Sequence, residues 1–331
     1  MLWIERYRPK EFSDILGQAP SIRVLSSFAE KRTLPHLILT GPHGTGKSVA
    51  VECFARALYK ENWELNTSIF QTADLFSQGK ALLEQDERYS HLYQKNQSLI
   101  NNFKYIIKWY ASLRPLDTEF KLMVFEDAHT LTLDAQQALR RIMERSSGTC
   151  RFIFTTTNQS SIIPAIASRC LPLFFAPVDQ DTLLQFLLRI KEIEQTGKQG
   201  CSDDDLDLIV QSARGDMRRA ILLLQAALET GKCHSLFEID QSETANVSGS
   251  AIKAIKDGDI RGAVRRFESL MIDYGLSGSE VLEQIRIITR REYNHPEIAI
   301  ALADAELRMQ HSNNEFVQIG AFTTKVHTVF S

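Results

Sequence analysis

The 331-residue sequence predicts an α/β domain built on a parallel sheet, followed by two smaller all-helical regions. Three observations predict it. Short apolar, β-rich runs recur at 37–40, 121–125 and 151–156, with helical patterns between them. That alternation marks a parallel sheet covered on both faces. A glycine-rich loop at 41–48 joins the first run to a helical pattern at 49–59. After Pro177 the strand signals stop, and only helical spacing continues, at 181–194, 202–213, 216–230, 258–274, 278–291, 296–310 and 313–329.

Leu34 to Thr40 reads as a buried strand. Gly41-Pro42-His43-Gly44-Thr45-Gly46-Lys47-Ser48 then satisfies the phosphate-loop pattern G-x-x-x-x-G-K-[ST] in full. Strand, glycine-rich loop and helix are the context in which this pattern is meaningful. Glycines let backbone N–H groups turn toward phosphate oxygens, and the helix N-terminus adds a positive dipole end. Lys47 supplies a point charge to the β- and γ-phosphates, and Ser48 a hydroxyl to Mg²⁺. The chain is therefore expected to bind a nucleoside triphosphate, ATP, with Mg²⁺.

The stretch 70–102 is polar, weakly periodic and long for a connection, so helical or partly mobile structure is expected there. Leu122 to Phe125 then run into Glu126 and Asp127, at the strand end where open α/β sheets bind ligands. One acid would hold Mg²⁺ through its water shell, and the next would orient the attacking water. A third strand, 152–157, ends at Asn158, which suits either a bond to the γ-phosphate or its water, or a strand-end turn. Arg169, taken alone, reads as a surface residue. Asp216 suits the N-cap of a helix whose first turn carries Arg218 and Arg219. Two cations there oppose the helix dipole and favour an anionic partner.

Composition narrows the partners. The net charge of −3 gives no global basic field, so a nucleic-acid surface must be local. Lys104 and Lys108 share a helical face, and Arg140-Arg141 begin another basic cluster. The five cysteines form no C-x-x-C pair, which argues against zinc and fits reduced thiols in a cytoplasmic protein. No apolar run approaches the ~18 residues of a membrane span.

These pieces, in this order, resemble the AAA+ ATPases. The segment Trp3-Ile4-Glu5-Arg6-Tyr7-Arg8-Pro9-Lys10 with Ile15-Leu16-Gly17-Gln18 resembles the opening box of clamp-loader subunits. Leu34-Pro35-His36-Leu37 fits the same pattern. So do the run from Asp134 to Glu144 and Cys150-Arg151-Phe152-Ile153. The run Ala303-Asp304-Ala305-Glu306-Leu307-Arg308 resembles a collar helix. Nearly the whole chain is similar to the small subunits of replication factor C, in the archaeal and eukaryotic style.

The resemblance implies a nucleotide-binding domain over 1–163, a helical lid over 164–235 and a collar over 236–331. Tyr7, Arg8, Pro9, Gly17 and Gln18 would flank the adenine. Asn158 would be a first sensor of nucleotide, and Arg169 an arginine finger reaching the neighbouring subunit's ATP. Arg218, beside Met217, would be a second sensor in cis. The implied partners are large and small clamp-loader subunits in a five-membered arc, the sliding clamp (PCNA) and primer-template DNA. Lys104, Lys108, Arg140 and Arg141 would face that DNA, although the two arginines would equally suit a subunit interface. Ile69, Phe70, Leu75 and Phe76 are apolar candidates for the clamp contact, with core packing as their other use.

Two departures from the family stand out. The family places Asp then Glu where this chain has Glu126-Asp127. A misplacement near 1 Å can cost on the order of 100-fold in rate, so slow hydrolysis is expected. The Asp-Glu-Arg-Gly turn that follows Asn-Ala-Ser in the family is missing after Asn66-Thr67-Ser68-Ile69, as in a divergent second small subunit. Two rival readings remain: a largely structural subunit, and another AAA+ DNA remodeller that works as a closed hexamer.

Overall fold

The computed structural model describes residues 2–116, 118–194, 201–230, 243–292, 296–309, 312 and 314–330. The chain divides into two compact units, Met1–Gly231 and Lys232–Ser331.

The first unit begins with helices α1 (Trp3–Arg6) and α2 (Ala19–Lys31), strand β1 (His36–Thr40) and helices α3 (Lys47–Tyr59) and α4 (Trp63–Asn66). Strand β2 (Thr67–Gln71) leads into α5 (Thr72–Ser77), α6 (Lys80–Gln85), α7 (Glu87–Ser90) and α8 (Leu99–Ser112). Then follow β3 (Lys121–Glu126), α9 (Leu133–Ser146), β4 (Cys150–Thr156), α10 (Pro164–Ala167) and β5 (Cys170–Phe174). Helices α11 (Gln180–Glu194), α12 (Asp203–Ala213) and α13 (Met217–Thr230) close the unit.

The five strands are all parallel, in the order β2-β3-β4-β1-β5. The three central strands are the three runs that hydrophobic patterning marks. Their side chains alternate between two cores, as strand geometry requires. Leu37, Leu39, Leu122, Val124 and Ile153 pack with residues of α2 and α3. Ile38, Met123, Phe125, Phe152 and Phe154 pack on the other face with residues of α8 and α9.

Both edge strands escape the sequence patterning. β5 carries Pro172 at its centre, a residue that cannot donate to a ladder and is confined to edges. It pairs with β1 alone, so the missing donor costs nothing. β2 is short and half polar. The sheet therefore continues to Phe174, beyond the expected domain boundary at 163/164, because β5 is its last strand. The other expected boundary, 235/236, lies outside the described residues.

The stretch 70–102 is helical through α5, α6 and α7. Asp86 caps α7, Ser98 caps α8, and the Asn102 side chain bonds the backbone at Gln94, Gln97 and Ser98. Leu75, Leu83, Tyr89 and Leu92 are buried. Phe70 is 1% exposed and stacks on Phe125 at 5.2 Å between ring centroids. Of the four apolar clamp-contact candidates, Phe70 and Leu75 are core residues, as their alternative use required, while Ile69 and Phe76 are half-buried and pack against the two cores.

The second unit contains five described helices, Glu243–Lys256, Ile260–Ile272, Gly278–Glu292, Pro296–Met309 and Glu315–Phe330. They enclose Phe267, Leu282, Ile285 and Phe322. Ile300 and Leu307, one face of Pro296–Met309 two turns apart, are each 60% exposed.

Two outcomes are expected. Phe70→Ala removes a stacked core ring and should destabilise the first unit by about 3–5 kcal/mol in urea unfolding, where a surface residue would cost under ~0.5 kcal/mol. His36 is held neutral: its Nδ1 accepts from the Phe152 N–H at 3.1 Å, and burial, aided by the Arg151 charge, lowers its pKa to about 4. Its contribution should be complete above the unfolded-state pKa of about 6.5 and should fade as pH falls toward 4, because the unfolded chain binds the proton first. His36→Gln should flatten the stability profile in that window; an unchanged slope would refute the assignment.

Candidate functional site

β1 delivers the chain to Gly41 at the sheet's C-terminal edge. A Cβ on Gly41 would lie 2.0 Å from the Phe175 carbonyl oxygen, so only hydrogen fits. Gly44 and Gly46 take φ of +67° and +94°, the left-handed region open to glycine. A Cβ on Gly44 would lie 1.7 Å from Asp216 Oδ1. The Thr45 hydroxyl donates to the Pro42 carbonyl at 2.9 Å and closes the loop on itself. Gly46 then caps α3, whose unpaired first N–H groups make an anion site.

Lys47 is buried and donates from Nζ to the Gly41 and Pro42 carbonyls, each at 2.6 Å. Burial lowers its pKa, against the opposing charges of Asp127 and Asp216.

The acids stand at the end of β3. Glu126 Oε2 accepts from Gln71 Nε2 at 2.5 Å, a contact set by the β2–β3 register that pairs these residues. Asp127 sits in the left-handed region, φ 51° and ψ 44°, which aspartate tolerates better than most side chains. Its conformation is held from behind. The fully buried Thr72 hydroxyl lies 2.5 Å from the Glu126 carbonyl and 2.8 Å from that of Asp127. Thr130 Oγ1 donates to the same Asp127 carbonyl at 2.9 Å.

A cavity of about 480 Å³ lies between these elements. Tyr7, Arg8 and Pro9 line it, together with the loop from His43 to Ser48, Glu126, Asp127, Met217 and Arg218. Gly41 and Pro42 shape the loop behind this lining. The N-terminal segment is tied on both sides. Arg8 forms a two-point ion pair with Glu52 of α3. The Tyr7 hydroxyl donates to Glu194 of α11 at 2.6 Å, and Arg6 pairs with the same carboxylate. Burial, then Glu194, pushes the Tyr7 phenol up to about 12. Helix α13 is bonded to the loop directly, through the Met217 N–H and the Gly44 carbonyl at 3.1 Å.

Other expected site residues lie elsewhere. Gly17 and Gln18 do not line the cavity. Gln18 is buried and donates to the Ala176 carbonyl at 2.7 Å, and Gly17 packs on Val178. Their neighbours Ile15 and Leu16 line it instead. Asn158 is also off the lining: its Oδ1 accepts from Ser160 N–H at 3.0 Å and caps the following turn, while Thr155 faces the cavity. Arg169 lies on the surface, 40% exposed, bonded to Glu144 at 2.8 Å and to the Ala165 carbonyl at 2.6 Å. Half-buried Arg140 approaches Glu144 at 3.6 Å. Lys104, Lys108 and Arg141 are exposed.

Sequence reasoning missed Phe186 and Ile221, apolar residues of α11 and α13 on the cavity wall, because helical spacing reads them as core. It also missed Gln71, legible only once β2 is recognised as the neighbour of β3. Among the described residues no group of three or more His, Cys, Asp or Glu side chains could hold a metal ion. A divalent cation here would share its ligands with phosphate oxygens and water, as Mg²⁺ commonly does. Ser48 and Glu126, both on the lining, are the residues placed to take part.

The parallel sheet, phosphate loop and helical regions define an AAA+-like P-loop protein. Residues 17–179 match the family model of the DNA polymerase III delta subunit. The replication factor C small subunit of Picrophilus torridus is 33% identical over 337 residues, covering 100% of this chain and 98% of that protein. That of Aeropyrum pernix is 33% identical, covering 97% and 94%. The fold is shared with a point mutant of Thermotoga maritima RuvB, at a TM-score of 0.55, 14% identity and 85% coverage of each chain. The Aeropyrum pernix Orc1 protein, solved in complex with DNA, gives 0.57 at 18% identity, covering 87% of this chain and 81% of that one. The chain belongs to the replication factor C small-subunit family, and that membership implies nucleotide binding.

Gly44→Ala should therefore reduce ATP affinity at least ~100-fold, since both the φ of +67° and the Asp216 contact forbid a methyl group. Calorimetry with ATP and Mg²⁺, alongside a thermal melt to confirm folding, checks this. Near-normal affinity would show that the loop does not set the site.

Proposed function

We propose that this chain is an ATP-binding clamp-loader subunit, acting in an assembly that opens the sliding clamp (PCNA) and closes it on primer-template DNA. One observation carries the reading. Arg218 lines the cavity together with the phosphate loop of its own chain, whereas Arg169 is off that lining, on the surface and paired with Glu144. A site so arranged has its cis cation, while Arg169 would serve a neighbour by exchanging its Glu144 contact for that subunit's phosphates.

In this reading Lys47 and the loop amides hold the β- and γ-phosphates, and Ser48 and Glu126 hold Mg²⁺ with its water. Asp127 orients the attacking water, and Arg218 couples the lid to the γ-phosphate. Tyr7, Arg8 and Pro9, with Ile15 and Leu16, border the base. Asn158 acts as a sensor only if nucleotide draws its amide out of the turn it caps. The exposed Ile300 and Leu307 support the second unit as a collar that packs against other subunits.

A second reading has a specific observation behind it: a subunit that binds ATP, lends Arg169 and rarely hydrolyses. The Glu126 carboxylate is engaged by Gln71, and Asp127 is a methylene shorter than a glutamate at the water-orienting position. Asp127→Asn separates the two. An unchanged ATPase rate of the whole complex favours the second reading, and a large loss favours the first. Native mass of the assembly distinguishes both from a closed-hexamer remodeller.

Arg169→Ala should leave this chain's own ATP affinity within about twofold and lower the complex's turnover at the site it serves at least ~100-fold, a conservative share of what arginine fingers supply. Lys47→Ala should do the reverse, abolishing binding at its own site. Turnover unaffected by Arg169→Ala would falsify the trans assignment.

A further inference from the structure

Helix α8 carries Lys104 and Lys108, the residues expected to contact DNA, and its exposed face holds more than charge. Asn101, Lys104, Tyr105, Lys108 and Ser112 are all exposed. Tyr105 is 44% exposed, and Trp109, one turn on, is half-buried against the core. His91 meets the Trp109 ring edge-on at 5.3 Å, and Tyr110 meets it at 5.0 Å on the same helix. Trp109 is thus a fixed aromatic surface, and Tyr105 stands beside it at the i,i+4 spacing that makes helix neighbours. The two lysines run one residue behind, at the same spacing.

Among the described residues, neither Lys104 nor Lys108 takes part in an ion pair. No Asp or Glu occurs within Leu99–Ser112. On the preceding short helices Asp86 is bound by Arg88 and Glu84 by Lys95 at 3.0 Å. Glu87 is exposed on α7, four residues before His91.

Phosphate contacts to a duplex need cations and no aromatic ring, because paired bases are already stacked on each other. Aromatic faces beside a row of cations suit strands whose bases are free to stack. We propose that α8 is a stacking ledge for single-stranded nucleic acid. Tyr105, backed by Trp109, takes an unpaired base, and Lys104 and Lys108 follow the phosphates. This rests on the reading of α8 as a DNA-facing helix and names the strand that it meets.

The test uses the full chain and fluorescence anisotropy with labelled oligo-dT of about 20 nucleotides and a duplex of equal length. Tyr105→Ala should weaken oligo-dT binding about tenfold, leave duplex binding unchanged and preserve the salt slope. Tyr105→Phe, which keeps the ring, should bind within about twofold of the parent. Lys104→Ala with Lys108→Ala should weaken both ligands and reduce the salt slope by about 1.5. No oligo-dT binding by the parent chain overturns the proposal. So does an equal loss on both ligands for Tyr105→Ala, or competition by polyglutamate as strong as by oligo-dT. If only the lysine variants matter, the ledge fails and the DNA-facing reading stands; if neither set matters, that reading fails as well.

Discussion

The phosphate loop is a joint as well as a cradle, because two of its glycines are places where other elements touch its backbone. Gly41 accommodates the Phe175 carbonyl, where β5 leaves the sheet, and Gly44 accommodates Asp216, the N-cap of α13. The Met217–Gly44 hydrogen bond crosses the same contact. One such bond contributes only ~1 kcal/mol. The steric term is stronger, since close-packed contacts are bistable rather than continuously deformable. A phosphate that shifts the loop must therefore either move α13 with it or break the contact. That is the coupling a nucleotide-driven machine requires, and it arises from two missing side chains.

The N-terminal segment makes a second link between the same parts. Consecutive residues point opposite ways: Tyr7 to Glu194 on α11, Arg8 to Glu52 on α3. Both residues line the cavity. The Arg8 side chain is partly exposed, so its ion pair adds little stability by itself. Its value is geometric. A two-point guanidinium–carboxylate pair fixes direction as well as distance, and so holds α1 where Tyr7 meets α11. Loop and strap together bring the N-terminal segment, the phosphate loop, α11 and α13 to one cavity.

How much of this was legible in the sequence follows from where each residue's constraint lies. The phosphate loop, β1, β3 and β4 were readable because their requirements are local: glycines for backbone approach, continuous apolar runs for strands buried on both faces. β2 and β5 were not, since an edge strand needs neither a full apolar run nor every donor, and a residue such as Pro172 is uncommon within strands. Phe70 could be a core or a surface aromatic until Phe125 and Tyr89 were placed around it. Gly17 and Gln18 entered through resemblance and Asn158 from its place at a strand end; the Gln18 and Asn158 side chains bond backbone away from the cavity, and Gly17 lies against Val178. Gln71 and Thr72 carried no local mark at all, because what matters is the register that sets them behind the acids.

Those two residues bear on whether the site turns over. Exchanging the order of two acids could be neutral if the backbone slid to restore the carboxylate positions. Here it has little room to do so. Thr72 and Thr130 hold the Asp127 carbonyl from one side, and β3 is paired along its length with β2 and β4. The longer Glu126 side chain spends its extra reach on Gln71. The shorter Asp127 cannot be carried forward without losing buried hydroxyl bonds, each costing about 1–3 kcal/mol when left unmade. Phosphate binding, as proposed, draws instead on the loop amides, Lys47 and Ser48, none of which depends on the order of the acids. On the proposed reading, the same architecture therefore favours nucleotide binding over hydrolysis, through hydroxyls that do not line the cavity.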